Sequence, residues 1–549
     1  LARSRGPIPG VGEAVSASVP QPARTDRAAL LARLAEPVDY DLAVIGGGAT
    51  GLGVALDAAT RGLRVVLLEA QDFAKGTSSR ATKLVHGGVR YLGQGNFALV
   101  REALRERQVL LRNAPHLAQP LPFVVPAYRL GEKPFYGLGL VLYDVLAGKA
   151  GLGRTRWLDP RETLVRQPAL RADGLRGGVE YWDGQFDDAR MAIALARTAA
   201  RAGALLLNYC RVTAIVREGG QVVGVRCEDG ETGRSYAVRA RCVVNAAGIW
   251  VDAVRALGRE SAPSEPMITY SQGAHVVVPG SFLPGDRALL VPRTRDGRVL
   301  FALPWMGKTI IGTTDTPRPA AEIEPRPLPL EVDFLLGEIA RYLAKPPGVE
   351  DVSSAWAGLR PLVRTDGFTS TKNISREHVV RVERDGLVTV AGGKWTTYRA
   401  MAEDAVDACI DAGLLKTNKP SLTSDWPLVG AASGRRRLGD GPGIRGYGSE
   451  QEAVLALPGA ERDLGCGLTE AMVRFAARHE YARTVEDVLA RRSRLLFLDV
   501  RLALEAADEV GRLLQEETGR DPGVAAFREL AASYLRWSGD SSGSTSFSR

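Results

Sequence analysis

Tyr40-Asp41-Leu42-Ala43-Val44-Ile45-Gly46-Gly47-Gly48-Ala49-Thr50-Gly51 decides the fold of this chain. The first six residues form a short apolar run suited to a strand buried on both faces. Gly46, Gly48 and Gly51 then turn the chain into a helix read from Leu52 to Arg61. A second strand, Leu63 to Glu69, completes a βαβ unit and ends on a carboxylate. Glycines at this spacing let the backbone approach a pyrophosphate, which the free N–H groups of the helix N-terminus then face. Glu69 is placed to accept the ribose hydroxyl protons of a dinucleotide. The fingerprint alone does not separate NAD from FAD.

Working outward, the pattern predicts a helix over Phe97 to Asn113, with Leu99, Ala103, Leu110 and Leu111 on one face. Proline-rich loops and edge strands are expected from Pro115 to Pro134. A helix over Asp188 to Ala202 precedes a meander punctuated by Glu218-Gly219-Gly220 and Asp229-Gly230. Further expectations are a buried strand ending at Gly248, a helix over Leu330 to Leu343, and a strand from Leu387 leading through Gly392-Gly393 into a helix ending at Ala412. Beyond Leu422 a Gly/Arg-rich stretch gives way to amphipathic helices from Thr469 to Gly519.

The expected class is α/β (α+β): a Rossmann-like nucleotide domain, a β-rich substrate domain and a C-terminal helical cap. Residues 39–89, 180–262 and 355–420 are assigned to the first, and 90–179 with 263–354 to the second. Residues 421–448 are read as a linker and 449–535 as the cap. Residues 1–38 are read as a disordered extension without the apolar core of a secretion signal, and 536–549 as a disordered tail.

The chain has 549 residues and a formal charge of +8, from 71 Lys and Arg against 63 Asp and Glu. The basic residues are dispersed and form no nucleic-acid arm. The five cysteines lack a CxxC pair, which argues against a disulfide framework or a metal site and for a reducing compartment. The longest apolar stretch, Phe135 to Leu146, is broken by glycines and contains Asp144. It is too short to span a bilayer but long enough to lie on one.

Three further segments carry a likeness: Thr77-Ser78-Ser79-Arg80-Ala81-Thr82-Lys83-Leu84-Val85-His86-Gly87-Gly88, Asn245-Ala246-Ala247-Gly248-Ile249-Trp250, and Gly392-Gly393-Lys394-Trp395-Thr396-Thr397-Tyr398. With Gly87-Gly88-Val89-Arg90-Tyr91-Leu92 and Gly312-Thr313-Thr314-Asp315, the chain from Tyr40 to Leu514 resembles the FAD-dependent glycerol-3-phosphate dehydrogenases. These belong to the wider D-amino-acid-oxidase-like flavoproteins. The resemblance implies non-covalent FAD and oxidation of sn-glycerol 3-phosphate to dihydroxyacetone phosphate, a step of glycerol metabolism. It assigns Gly46, Gly48, Gly51, Glu69, Ser78, Ser79, Lys83, Leu84, His86, Gly87, Ala247, Gly248, Gly393, Lys394 and Thr396 to the cofactor.

The resemblance places Arg90, Arg360 and Arg376 on the substrate side of the flavin as the expected phosphate ligands, a role a guanidinium suits because it donates two parallel hydrogen bonds to phosphate oxygens. Tyr91 and Asp315 join them around the substrate. His275, at the start of an apolar strand, reads by itself as a core histidine, but the resemblance brings it to the substrate pocket as the expected base, with Arg360 and Lys394 also at the chemistry; Lys394 competes with it, as a cation able to polarise the substrate oxygen. No metal is expected. Within the resembled family, members that use oxygen carry an insertion before the final flavin motif; Thr365 to Arg376 is short, so the resemblance implies a membrane quinone as electron acceptor. The implied setting is the cytoplasm, peripherally attached to the inner face of the cell membrane, and a homodimer is left open. An amino-acid oxidase of the same flavoprotein group and a flavin-binding scaffold without turnover remain as alternatives.

Overall fold

The computed structural model describes residues 22–89, 95–258, 265–364, 378–431 and 442–537. Its first sheet is built around Tyr40–Ile45, which pairs in parallel with Ser235–Asn245 on one side and Val65–Leu68 on the other. Leu387–Gly392 and Leu205–Leu207 extend the parallel core in either direction. Helices Ala49–Thr60, Asp188–Arg201 and Tyr398–Asp411 cover one face, burying Leu52, Leu56, Ile193, Met401 and Val406. The antiparallel hairpin Cys210–Glu218 and Gln221–Asp229 covers the other. Two-sided burial is what the continuous apolar strand sequences require.

The second sheet has ten strands and runs mostly antiparallel. Its long central strand, Ile268–Pro279, pairs with Lys308–Gly312 on one side and Ser354–Val363 on the other. The domain bounds expected from sequence are therefore corrected. Ser354–Val363 belongs to this sheet and not to the nucleotide domain, and so do Leu84–Val85 and Gly178–Phe186, which pair with each other. Pairing between distant segments, not local glycine punctuation, settles which sheet a strand joins. A further correction concerns the proline-rich stretch: Ala118–Pro126 is an interior strand. Its parallel neighbour Ala288–Val291 pairs only at Phe123 and Val124, so Pro120, Pro122 and Pro126 leave no ladder bond unmade on that side.

The cap consists of helices Glu470–His479, Leu495–Leu498, Val500–Thr518 and Val524–Ser533, with a π-helical turn at Asp487–Arg492. Its core is continuous with Val277, Trp305 and Trp356 of the second sheet. It is held to the nucleotide domain by buried charges: Asp72 accepts from Arg491 and Arg492, and Glu480 from Arg190 at 2.8 Å. Each of these ions is desolvated, and the pairing is what makes its burial tolerable.

Residues 22–38 depart from the expected disorder. Arg27–Ala35 is a helix capped by Asp26, whose side chain accepts from Ala29 N–H. Arg27 is buried against Asp229 and donates to the Asn208 carbonyl at 2.9 Å. Just ahead of it, Thr25 N–H donates to Arg478 O at 2.8 Å, and Tyr481 N–H donates to Thr25 Oγ1 at 3.3 Å. This segment touches both the nucleotide domain and the cap. The rest of the expected extension, and the tail from residue 538, lie outside the described residues.

Candidate active site

A cavity of 690 Å³ runs between the two sheets, from the first βα turn to the central strand of the second sheet. At one end, Gly46 adopts φ 110°, and a Cβ there would stand 2.7 Å from Ala246 O. Gly51 lies behind this turn, where a Cβ would fall 1.9 Å from Gly46 O. It serves close packing, and Gly48, Ala49 and Thr50 form the wall. Glu69 also lines the cavity, its oxygens accepting from Gly47 N–H at 2.6 Å and Gln71 N–H at 2.8 Å. Burial pushes its carboxyl up, against the pull of those two donors.

The middle of the cavity joins the three small motifs. Ser78 Oγ accepts from Ala49 N–H at 2.9 Å, and Trp395 Nε1 donates to Ser78 O at 2.8 Å. His86 N–H donates to Thr396 Oγ1 at 3.2 Å. Leu84, His86, Ala247, Gly248, Gly393, Lys394 and Thr396 all face the cavity. The donor-rich turn, the carboxylate and the apolar middle suit a long dinucleotide with a flat ring system at its far end.

Besides Gly51, three residues assigned to the cofactor from sequence lie off the wall. Gly87 packs under Tyr143, whose hydroxyl accepts its N–H at 2.8 Å and donates to Asp183 at 2.8 Å. Ser79 is buried, and its carbonyl accepts from Lys83 Nζ and Arg494 Nη2, both at 2.8 Å. Lys83 itself is fully buried and paired with Asp188 at 2.7 Å. Burial and the nearby Arg494 push its ammonium down to about 7, against the pull of Asp188. These motif residues support the loop and do not line the cavity.

At the far end the central strand and its neighbour present His275 and Arg360. Arg360 donates to Thr314 O at 3.1 Å and Thr313 Oγ1 at 2.9 Å. Asp315 stands behind it at 3.7 Å and accepts from Ser271 Oγ, so it steadies the arginine and does not form the wall. His275 is buried against Trp356, with ring centroids 4.1 Å apart. Its Nε2 lies 3.0 Å from Thr82 Oγ1. Burial, then Lys83, then Arg360 hold its imidazole well below the usual value, which keeps the ring neutral and able to accept a proton. Arg90, Tyr91, Arg376 and the stretch from Thr365 lie outside the described residues.

Sequence reasoning missed Thr82 and Trp356. Thr82 sat in a motif noted only for its small hydroxyl residues, and no local signal places Trp356 beside His275.

Residues 41–404 match the model of the FAD dependent oxidoreductase family, and residues 444–523 match the C-terminal domain of alpha-glycerophosphate oxidase. The chain is 41% identical over 532 residues to a probable mitochondrial glycerol-3-phosphate dehydrogenase of Caenorhabditis elegans, covering 91% of this chain and 73% of that protein. It is 40% identical over 548 residues to a mitochondrial glycerol-3-phosphate dehydrogenase of Arabidopsis thaliana, covering 91% and 86%. The chain belongs to the FAD-dependent glycerol-3-phosphate dehydrogenase family. Among solved structures, the family member from Bacillus halodurans complexed with FAD superposes with a TM-score of 0.74 at 30% identity, covering 95% of this chain and 99% of that one. An L-alpha-glycerophosphate oxidase from Mycoplasma pneumoniae with FAD bound shares the fold, with a TM-score of 0.55 at 19% identity. FAD is thus the cofactor, and the cavity's turn, carboxylate and length fit it.

Proposed function

We propose that this flavoprotein oxidises sn-glycerol 3-phosphate to dihydroxyacetone phosphate and passes the electrons to a membrane quinone. The observation that carries the reading is the meeting of Arg360, His275 and Lys394 on the wall of one cavity that continues into the dinucleotide turn. FAD supplies the hydride acceptor. Arg360 holds the phosphate monoester by paired, charge-assisted hydrogen bonds; Arg90, Arg376 and Tyr91, assigned to the substrate from sequence, lie outside the described residues. His275 takes the proton of the secondary hydroxyl, and Lys394 stabilises negative charge developing on the substrate oxygen.

A quinone is reached at a bilayer, and helix Glu132–Ala147 offers a surface for one. Gly137, Leu140, Tyr143 and Ala147 turn inward, whereas Phe135, Leu138, Val141, Leu142 and Val145 are exposed. Leu130 and Trp157 add to the apolar patch, and Arg129, Lys149, Arg154 and Arg156 are exposed around it. Apolar side chains rimmed by cations match a peripheral contact with anionic lipid. Among the described residues no helix is long and apolar enough to cross a membrane. We place the enzyme on the cytoplasmic face of the cell membrane.

Anaerobic mixing of the FAD-loaded protein with glycerol 3-phosphate tests the chemistry. Bleaching of the flavin band by this substrate, followed by recovery on adding a short-chain quinone, is the expected result. Bleaching by amino acids and not by the phosphate would replace it with the amino-acid oxidase alternative.

A further inference from the structure

The two nitrogens of His275 are not equivalent. Nδ1 is closed off from solvent and has no hydrogen-bond partner among the described residues. Nε2 points at Thr82 Oγ1, 3.0 Å away. An imidazole nitrogen has one in-plane site, so a proton reaching this ring arrives along the Thr82 hydroxyl. Thr82 is only partly buried and lines the same cavity as Arg360 and Lys394. A hydroxyl both donates and accepts, so it can release one proton while receiving another.

The hydroxyl is also held in place. Ala81 N–H donates to Asp188 Oδ2 at 3.0 Å, and Lys83 Nζ donates to the same oxygen at 2.7 Å. The residues on either side of Thr82 are thereby pinned to one buried carboxylate. Its other oxygen accepts from Arg494 of the cap at 3.2 Å. Such a clamp keeps a short hydrogen bond at working distance without reorganisation during the reaction.

We propose that Thr82 Oγ1 carries the proton from the substrate's secondary hydroxyl to His275 and is a catalytic residue. This rests on the reading of His275 as the base. In the step, the substrate C–H bond breaks and its electron pair leaves as hydride to FAD. The substrate O–H bond breaks, its proton bonds to Thr82 Oγ1, and the proton that Oγ1 carried bonds to His275 Nε2. Thr82 ends neutral, His275 ends as imidazolium, and the product is the ketone.

The test compares Thr82→Val, Thr82→Ser, His275→Ala and the Thr82→Val/His275→Ala pair in the FAD-loaded full chain. The readouts are FAD content and anaerobic flavin reduction by glycerol 3-phosphate. Thr82→Val keeps the shape and loses the hydroxyl, and should slow reduction by about 10²–10⁴-fold with FAD content and half-saturating substrate unchanged. Thr82→Ser should stay within about tenfold of the parent, and the pair should be no slower than His275→Ala. Reduction by Thr82→Val within about threefold of the parent, while His275→Ala collapses, overturns the carrier role. So does loss of FAD from Thr82→Val with Thr82→Ser equally slow, which would assign Thr82 to cofactor retention. A His275→Ala enzyme that reduces at the parent rate instead overturns the base reading beneath it.

Discussion

Replacing Phe135, Leu138 and Val145 together by serine should detach the protein from membranes without harming its fold. The three side chains are 76%, 68% and 70% exposed, so they contribute little to any core. Full withdrawal of such side chains from water is worth about 1.5–3 kcal/mol each. Scaled by their exposure, they bring about 1–2 kcal/mol apiece to a bilayer, or about 3–6 kcal/mol together. If only half of that is realised at the headgroup boundary, vesicle affinity still falls by about 10–100-fold. The measurement is co-sedimentation with vesicles of mixed neutral and anionic lipid, at salt high enough to screen Arg129, Lys149 and their neighbours. FAD content and Tm should be unchanged. A triple variant that partitions within about threefold of the parent in high salt would refute the assignment of this face to the membrane.

Arg360→Ala should raise the half-saturating glycerol 3-phosphate concentration by about 10–100-fold while FAD stays bound, because one charge-assisted contact is worth about 1.5–3 kcal/mol; equal loss of FAD would place Arg360 on the cofactor. Gly51→Ala should prevent FAD retention, read as the flavin-to-protein absorbance ratio, since its Cβ would lie 1.9 Å from Gly46 O; a fully yellow variant would contradict the packing. Because His275 must be neutral to accept a proton and its pKa is lowered, the acid limb of kcat/KM should lie below about pH 6.5, the ordinary imidazole value. As pH falls through that depressed pKa the base form is lost, and Lys83→Met should move the limb upward by removing a neighbouring positive charge. An unmoved limb in that variant would detach Lys83 from His275.

The nucleotide half of the fold was legible because its signals are local. The apolar run, glycine turn and helix of Tyr40 to Thr60 lie next to each other in sequence, and the helix Phe97–Asn113 falls on its expected bounds. The N-terminal helix was also written in the chain, as Asp26 before Leu30, Leu31 and Leu34 at helical spacing, but the Pro- and Ala-rich composition around it obscured the period. What could not be read was the register of distant strands. Arg360 falls opposite Ser271 and Trp356 opposite His275 only because Ser354–Val363 pairs with Ile268–Pro279. The same holds for Lys83: a motif placed it near the cofactor, but only tertiary structure turns its side chain toward Asp188 and away from the cavity.

The strap at residues 22–35 has a temporal consequence. It is translated well before the cap, and Thr25 bonds to Arg478 and Tyr481, which follow more than four hundred positions later. At about 5–20 residues per second, that partner is roughly half a minute or more away. Residues 22–35 therefore wait for the cap, and their contact with it forms late, like a latch fastened after both halves of a case have been shut.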